Sequence, residues 1–459
     1  MNDISSKTNS VSRRDFLRTG AAASLIGISP KILWGADAPS NRINLCFCGC
    51  QPAGGIPGFA PKGGRGFEVM KNAASAPGLQ VVAVCDPDRR ATANAVKTIQ
   101  EISGNTPVFD SDIRKLLERK DIDAVFAEVP DHWHAPMAWM TMEAGKHIYC
   151  EKPCTFMPSE GDILIKVQKE TGKCFQMGNQ RRSSVAYRPA VEALRGGVIG
   201  EVKYARTWLH YNRAPIGLGK RNIPAPEWLD WEMWQGPSPR APYRENVVHY
   251  NWHWTYQYGT SEIANSAVHT VDVAHWAMGL GMPTKLSTLG GRLCGKDDWE
   301  WPDTQMVSME FANQKLLTWE GISCLPGKKQ NDLYCGAMIY GSKGSMLFHP
   351  ADYVVLYDEK GEQVREWRPE DVPADGSVKW KPKLDRRHIL NFADAIRAND
   401  PTVCHSQVAD SVRSSLIMHL GNISARAGEM LHLDETGRPA EKEALKFWTR
   451  EYEKGWEHA

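Results

Sequence analysis

Apolar positions in the first third of the chain come in short, nearly unbroken runs. Residues 43–49, 79–85, 124–129, 147–150 and 174–177 have the length and texture of strands buried on both faces. A further strand is predicted at residues 107–109. Between these runs lie segments with helical spacing at 67–74, 90–103, 111–118 and from the polar loop 131–134 to about Gly145. Alternating strands and helices predict a parallel sheet covered by helices. After a helix at 187–196 the texture changes. Residues 202–208 alternate as a strand with one wet face, and strands follow at 283–290, 306–311, 315–320, 337–340, 345–349 and 353–357. They predict a second, mostly antiparallel open sheet, with one helix at 261–279 and an aromatic-rich irregular region at 228–258. Helices at 385–399 and 408–428 follow, and residues beyond Leu431 read as a charged tail. The fold class is α/β, with a parallel-sheet domain over 41–180, an α/β domain with a large, mostly antiparallel open sheet over 181–384, and C-terminal helices and a tail over 385–459.

The punctuation of the first sheet carries chemistry. The strand at 43–49 ends in Gly49, a helix begins after Gly63-Gly64-Arg65-Gly66, and the next strand ends in Asp86, twenty residues beyond Gly66. Strand, glycine turn, helix, strand and acid make a dinucleotide-binding unit. Its glycines let a pyrophosphate approach the helix N-terminus. Asp86 would accept from the adenosine ribose hydroxyls, which favours NAD; Arg89 and Arg90 keep NADP as the secondary alternative. The fingerprint is interrupted, because residues 50–62 separate Gly49 from the later glycines. Two more polar clusters, Asp131-His132-Trp133-His134 and Glu151-Lys152-Pro153, fall at strand ends, where an open parallel sheet gathers its ligands.

Composition narrows the partners. The 459 residues are 42% hydrophobic with net charge +1, which gives no electrostatic reason to expect nucleic acid or an anionic membrane. Residues 1–38 read as a twin-arginine export signal: Ser12-Arg13-Arg14-Asp15-Phe16-Leu17, an apolar run at 21–28 and a small-residue end at 35–38. The expected location is the periplasm, or otherwise outside the cytoplasm, with no membrane insertion after signal removal. Eleven cysteines show no paired framework. Cys46, Cys48 and Cys50 share one face of a strand, and small hydrophobes in a doubly buried strand account for them without a metal.

Three segments together, Asp131-His132-Trp133-His134-Ala135, Glu151-Lys152-Pro153 and His269-Thr270-Val271-Asp272, resemble the Gfo/Idh/MocA family, which contains glucose–fructose oxidoreductase and inositol dehydrogenase. The resemblance covers nearly the whole mature chain and is nearest to exported members with the Asp-His-Trp-His loop. It implies that 41–180 is an N-terminal Rossmann domain, that 181–384 is a substrate and oligomerisation domain, and that 385–459 packs back on the Rossmann domain. It also implies a nicotinamide cofactor between the two domains, a cis bond before Pro153, and dimer or tetramer contacts through the open sheet. It makes Lys152 the catalytic lysine and His269 the general base. It also implies a cofactor site of Gly49, Gly63, Gly64, Arg65, Gly66, Asp86, Pro130, His134, Glu151, Lys152 and Gln180. Substrate contacts fall to Asn265, Asp272, His132, His134, Arg181, Tyr250 and His253, with Arg182 and Trp252 beside them. The family usually carries Asp where this chain has Asn265. A zinc site on His132 and His134, completed by His253 or Asp272, is set aside, because the family's equivalents face the nicotinamide; no metal is expected. The expected activity is NAD(P)-dependent oxidation of a sugar, polyol or glycoside hydroxyl on a tightly held cofactor. The alternative is a glycosidase working by transient oxidation, elimination and re-reduction. The interrupted glycine loop and Asn265 speak for a non-catalytic NAD-binding protein; Lys152 and His269 speak against it.

Overall fold

The computed structural model describes residues 41–50, 64–327, 333–375, 377 and 379–458. The twin-arginine stretch and Gly63 lie outside the described residues.

The first sheet is built as the apolar runs require. In chain order it comprises β1 (Ile43–Cys48), α1 (Arg65–Ala74), β2 (Leu79–Cys85), α2 (Arg89–Ser103), β3 (Val108–Asp110), α3 (Ile113–Leu117), β4 (Ala124–Ala127), α4 (Asp131–Glu143), β5 (His147–Cys150), α5 (Glu160–Thr171) and β6 (Phe175–Met177). The strands pair in parallel in the order β3-β2-β1-β4-β5-β6. The order reverses between β1 and β4, which places the crevice at their carboxyl ends. β4 and β5 bury every residue, consistent with apolar runs that do not alternate. Cys46 and Cys48 point into one side of this core, their sulfurs 3.9 Å apart. Cys50 lies beyond the strand and packs on the other side. All eleven cysteines are free thiols.

A short 3-10 turn, Gln180–Ser183, and α6 (Tyr187–Arg195) lead into the second domain. It contains β7 (Val202–His210), α7 (Trp231–Gln235), α8 (Val268–Met278), β8 (Lys285–Gly291), β9 (Thr304–Phe311), β10 (Lys315–Ile322), β11 (Cys335–Gly341), β12 (Gly344–His349), β13 (Tyr353–Tyr357) and β14 (Gln363–Trp367). α9 (Trp380–Ala398), α10 (Val408–Ala427), β15 (Leu431–His432) and α11 (Lys442–Leu445) complete the chain. The sheet runs β14-β13-β12-β11-β7-β10-β9-β8-β15 and is antiparallel except where β7 meets β10. Along β9, buried and exposed positions alternate, so one face packs under α8 and the other is open. Among the described residues no helix is long and apolar enough to cross a membrane.

The structure departs from the sequence reading in three places. α5 and β14 were not anticipated; four of five β14 residues are exposed, so this edge strand has no apolar alternation to read. The polar segment 131–134 is not an extended loop but the first turn of α4. The segment after Leu431 is no loose tail. β15 adds to the second sheet beside β8, Trp456 packs edge-on against Trp133 at 4.9 Å, and the Arg450 guanidinium meets Glu160 at 2.7 Å with both side chains almost fully buried. The charges that suggested solvent are paired inside.

Removing one member of a buried ion pair leaves the other uncompensated, at about 3–5 kcal/mol. Arg450→Met should therefore lower the unfolding free energy by about that amount in urea titrations, whereas a solvated tail would give no change.

Candidate active site

One cleft of about 1230 Å³ runs along the carboxyl ends of the parallel strands and under the second domain. Its dinucleotide end is shaped by backbone. Gly49 has a φ of +82°, and a Cβ there would lie 2.1 Å from the Glu128 carbonyl oxygen; one on Gly66 would lie 2.0 Å from that of Gly49. Only glycine lets the β1 turn and α1 approach so closely. Gly64 precedes α1 in extended conformation without a side-chain cap, so the helix N-terminus faces the cleft with free N–H groups. Asp86 stands at the end of β2, its two oxygens accepting from the backbone N–H groups of Cys50 at 2.7 Å and Asp88 at 2.9 Å. Burial pushes its carboxyl up to about 6. Arg90 does not offer a phosphate site. It is engaged with Asp88 at 2.9 Å and lies over the Trp228 ring at 3.4 Å, which favours NAD over NADP.

Glu151, at the end of β5, receives Arg65 at 3.0 Å, and Arg65 reaches Asp385 of α9 at 2.7 Å. Burial works to raise the Glu151 carboxyl, but Arg65 and Lys152 outweigh it and hold it low. Gly178 makes the room: a Cβ there would be 2.7 Å from the Glu151 carboxylate. Glu128, beyond β4, lines the cleft with both carboxyl oxygens unpartnered. Burial and then the Glu151 charge push it well up, leaving a neutral acid able to meet a ribose hydroxyl. Pro130 and Gln180 also line this wall, the latter with its amide oxygen unpartnered. Glycine cradle, open helix end, acid after β2 and orphaned polar atoms together fit a dinucleotide. Gly49, Gly64, Arg65, Gly66, Asp86, Pro130, His134, Glu151 and Gln180 would hold it, with Glu128 added by the structure.

The reacting centre lies where β5 meets the helix carrying His269. Lys152 Nζ donates to the Asn265 carbonyl at 2.6 Å and to the Asn265 side-chain oxygen at 2.9 Å. The peptide before Pro153 is cis, as the resemblance implies. Asn265 sits in a π-helical turn, Ile263–Ala267, directly before α8; such turns favour functional sites because the wider turn re-aims backbone groups. Burial lowers the Lys152 ammonium pKa against the pull of Glu151 and Asp131. His269 lines the same space, and burial followed by the Lys152 charge keeps its imidazole far below its ordinary range. It is a neutral base. His253 is held neutral by burial as well; it stacks on Trp252 at 3.6 Å and gives its Nδ1–H to the Tyr250 carbonyl at 2.6 Å. Tyr250 Oη accepts from Arg213 at 3.1 Å. His134 gives its Nδ1–H to the Pro153 carbonyl at 2.5 Å, leaving Nε2 unpartnered toward the cleft.

Three expected contacts do not reach the cleft. His132 is buried between the domains, its ring nitrogens 3.4 Å and 3.2 Å from the carbonyls of Tyr258 and Trp234, and burial takes its pKa down to about 3. Two residues apart on a helix, His132 and His134 point to nearly opposite sides, whereas an extended loop would put them on the same one. Asp272 is sealed by Arg182 at 2.7 Å, Asn179 at 3.0 Å and the Ser414 hydroxyl. Arg182 is likewise spent on Asp272 and Asp410. This cluster ties the two domains and α10 together and makes no bond to His269. Conversely, Arg213, Tyr211, Tyr334 and Lys381 line the cleft without having been singled out, and Glu262 stands behind Arg213 as its buried partner. Glu128 alone carried a signal, as the charge closing an apolar strand.

Fold and cleft define a two-domain dinucleotide-binding protein. A family model described as "Oxidoreductase family, NAD-binding Rossmann fold" matches residues 62–179, and the GFO/IDH/MocA C-terminal domain matches residues 234–347. The chain belongs to the GFO/IDH/MocA family. It is similar to "Glycosyl hydrolase family 109 protein 1" of Shewanella sp. (strain ANA-3), 30% identical over 206 residues that cover 42% of this chain and 45% of that protein. It therefore spans less than half the length of such relatives. Its fold is similar to that of levoglucosan dehydrogenase in complex with NADH and levoglucosan (18% identity, TM-score 0.61, 85% of this chain and 99% of that one). The myo-inositol 2-dehydrogenase of Lactobacillus plantarum compares equally (19%, 0.60, 86% and 100%).

The Asp86 carboxylate, raised to about 6, is the form that accepts ribose hydroxyls. NAD affinity should be constant above about pH 7 and fall by up to about tenfold per unit as pH drops through 6. The sign for the empty fold is opposite: a folded pKa above the unfolded value means acid stabilises it. Calorimetric titration of NAD across this range checks the first sign, urea unfolding of the empty protein checks the second, and Asp86→Asn should flatten both profiles.

Proposed function

We propose that the protein oxidises a hydroxyl group of a sugar, polyol or glycoside, using a tightly held nicotinamide dinucleotide. The observation that carries this reading is that Lys152, fixed by Asn265 and with its pKa lowered by burial, lines one cleft with a neutral His269. When bound, the nicotinamide supplies the hydride acceptor. Lys152 donates a hydrogen bond to the substrate oxygen and favours its deprotonation. His269 takes the proton as the carbon–hydrogen bond breaks. Asn265 holds Lys152 in place without adding a negative charge.

The twin-arginine segment supports export of the folded, cofactor-loaded protein. Outside the cytoplasm the cofactor would have to be restored in place, so oxidation of one sugar would be balanced by reduction of another. Leu289, Met306, Leu316 and Tyr340 are exposed on the open face of the second sheet, which supports a homodimer or tetramer.

The Shewanella relative's name favours a second reading, hydrolysis of a glycoside. Two electrons leave a ring carbon, the aglycone departs by elimination, water adds, and the same two electrons return, so no net oxidation results.

Absorbance of the purified protein with a panel of sugars and aryl glycosides separates the two. Lasting reduction of the bound nicotinamide by a free sugar, reversed by a keto-sugar, is the expected result; aglycone release without lasting reduction supports the second reading. No bound nucleotide and no uptake of added NAD would defeat both. In either case His269→Ala should slow turnover by about 10²–10⁴-fold while nucleotide content stays unchanged.

A further inference from the structure

The substrate end of the cleft holds a buried cation with no anion of its own. Five arginine side chains are buried among the described residues: Arg181, Arg182, Arg213, Arg244 and Arg450. Four are paired, Arg182 with Asp272, Arg213 with Glu262, Arg244 with Glu300 and Arg450 with Glu160. Arg181 is the exception. It is 8% exposed and lines the cleft, yet among the described residues no carboxylate lies within ion-pair distance of it. Its Nη1–H is spent on the Tyr187 hydroxyl at 2.6 Å, which itself donates to the His349 carbonyl at 2.8 Å. The Cys335 thiol adjoins it. The carboxylate whose charge acts on it, Asp352, is committed to Arg387 at 3.2 Å.

The position belongs to the substrate rather than to the dinucleotide. Tyr187, His349 and Cys335 anchor Arg181 against the second sheet, away from Gly49, Gly66 and Asp86. Its charge reaches His269. Tyr334 and Tyr211, stacked at 5.8 Å, line the cleft and continue the wall to Arg213, whose charge Glu262 neutralises with two bonds of 2.8 Å and 3.0 Å. Glu151 beside Lys152 is spent on Arg65. The substrate end therefore has an excess of positive charge centred on a pre-positioned guanidinium.

Burying a cation without a counter-charge is costly. A planar guanidinium with free donors matches a carboxylate, which can take two of them at once. A neutral hydroxymethyl group in the same place would leave the charge uncompensated. We propose that Arg181 seats a carboxylate carried by the substrate, so that the sugar is a hexuronic acid or its glycoside. This rests on the reading of the cleft as a sugar-oxidising site.

The test uses the full-length, cofactor-loaded protein and calorimetric binding of methyl glycosides of D-glucuronic, D-galacturonic and D-mannuronic acids. Each is paired with its neutral hexose counterpart. At least one uronate should bind ten-fold or more tighter than its neutral partner, and Arg181→Gln should erase that gap. Arg181→Lys should retain part of it. Nucleotide content and melting temperature report whether each variant is folded, and the wild-type comparison stands without them. Equal or tighter binding of the neutral sugars, binding of neither series, or a uronate preference that survives in a folded Arg181→Gln protein overturns the proposal. Reduction of the bound nicotinamide is read separately: neutral sugars that reduce it while uronates do not bind would leave the oxidoreductase reading intact and remove this one.

Discussion

Desolvation of a single ammonium group sets the terms for the catalytic half of the cleft. Lys152 stands at the end of β5 with its Nζ held by two acceptors from one residue, the backbone and side-chain oxygens of Asn265. The π turn matters because a carbonyl inside a regular α-helix is normally taken by the N–H four residues on, whereas here the Asn265 carbonyl accepts from Lys152. The amide matters too. A carboxylate at position 265 would form an ion pair with Lys152 and favour its charged form. A neutral acceptor fixes the geometry but leaves burial to win, and the ammonium pKa falls. Asn265 is therefore compatible with an active enzyme whose lysine parts with its proton more readily.

That arrangement depends on the way the second and C-terminal segments close on the first sheet. Glu151 is drawn toward Arg65, and Arg65 toward Asp385, so the start of α1, the end of β5 and α9 are linked through charges beside Lys152. Arg182, Asp272, Asn179 and Ser414 form the corresponding tie behind His269. These pairs are buried, so each charge is fixed by partners rather than by water. The dinucleotide end is governed by backbone clearance, with Gly49, Gly66 and the α1 N-terminus approaching within van der Waals limits of one another.

Much of this was legible in the chain. Doubly buried strands announce themselves as unbroken apolar runs, and the polar residues that close them, Gly49, Asp86, Glu151 and Lys152, fall at the crevice by topology alone. Helical and extended conformation at 131–134 could not be told apart from four polar and aromatic residues, and that difference decides that His134 faces the cleft while His132 does not. Asp272 read as a substrate ligand because its partners, Arg182 and Ser414, lie 90 and 142 residues away in sequence. A separation of 49 residues likewise hid the pairing of Arg213 with Glu262. The C-terminal charges looked solvated because the pairing of Arg450 with Glu160 spans most of the chain.

The most direct test is the rate of bound-nicotinamide reduction in a single turnover, followed against pH in the wild-type protein and in Lys152→Met. The account predicts a wild-type rate that falls as pH rises through an apparent pKa below the ordinary lysine value, because the donating ammonium is lost. It predicts a variant that keeps its nucleotide but reacts at least about a hundredfold more slowly. A Lys152→Met protein that reduces its nicotinamide at the wild-type rate would contradict it.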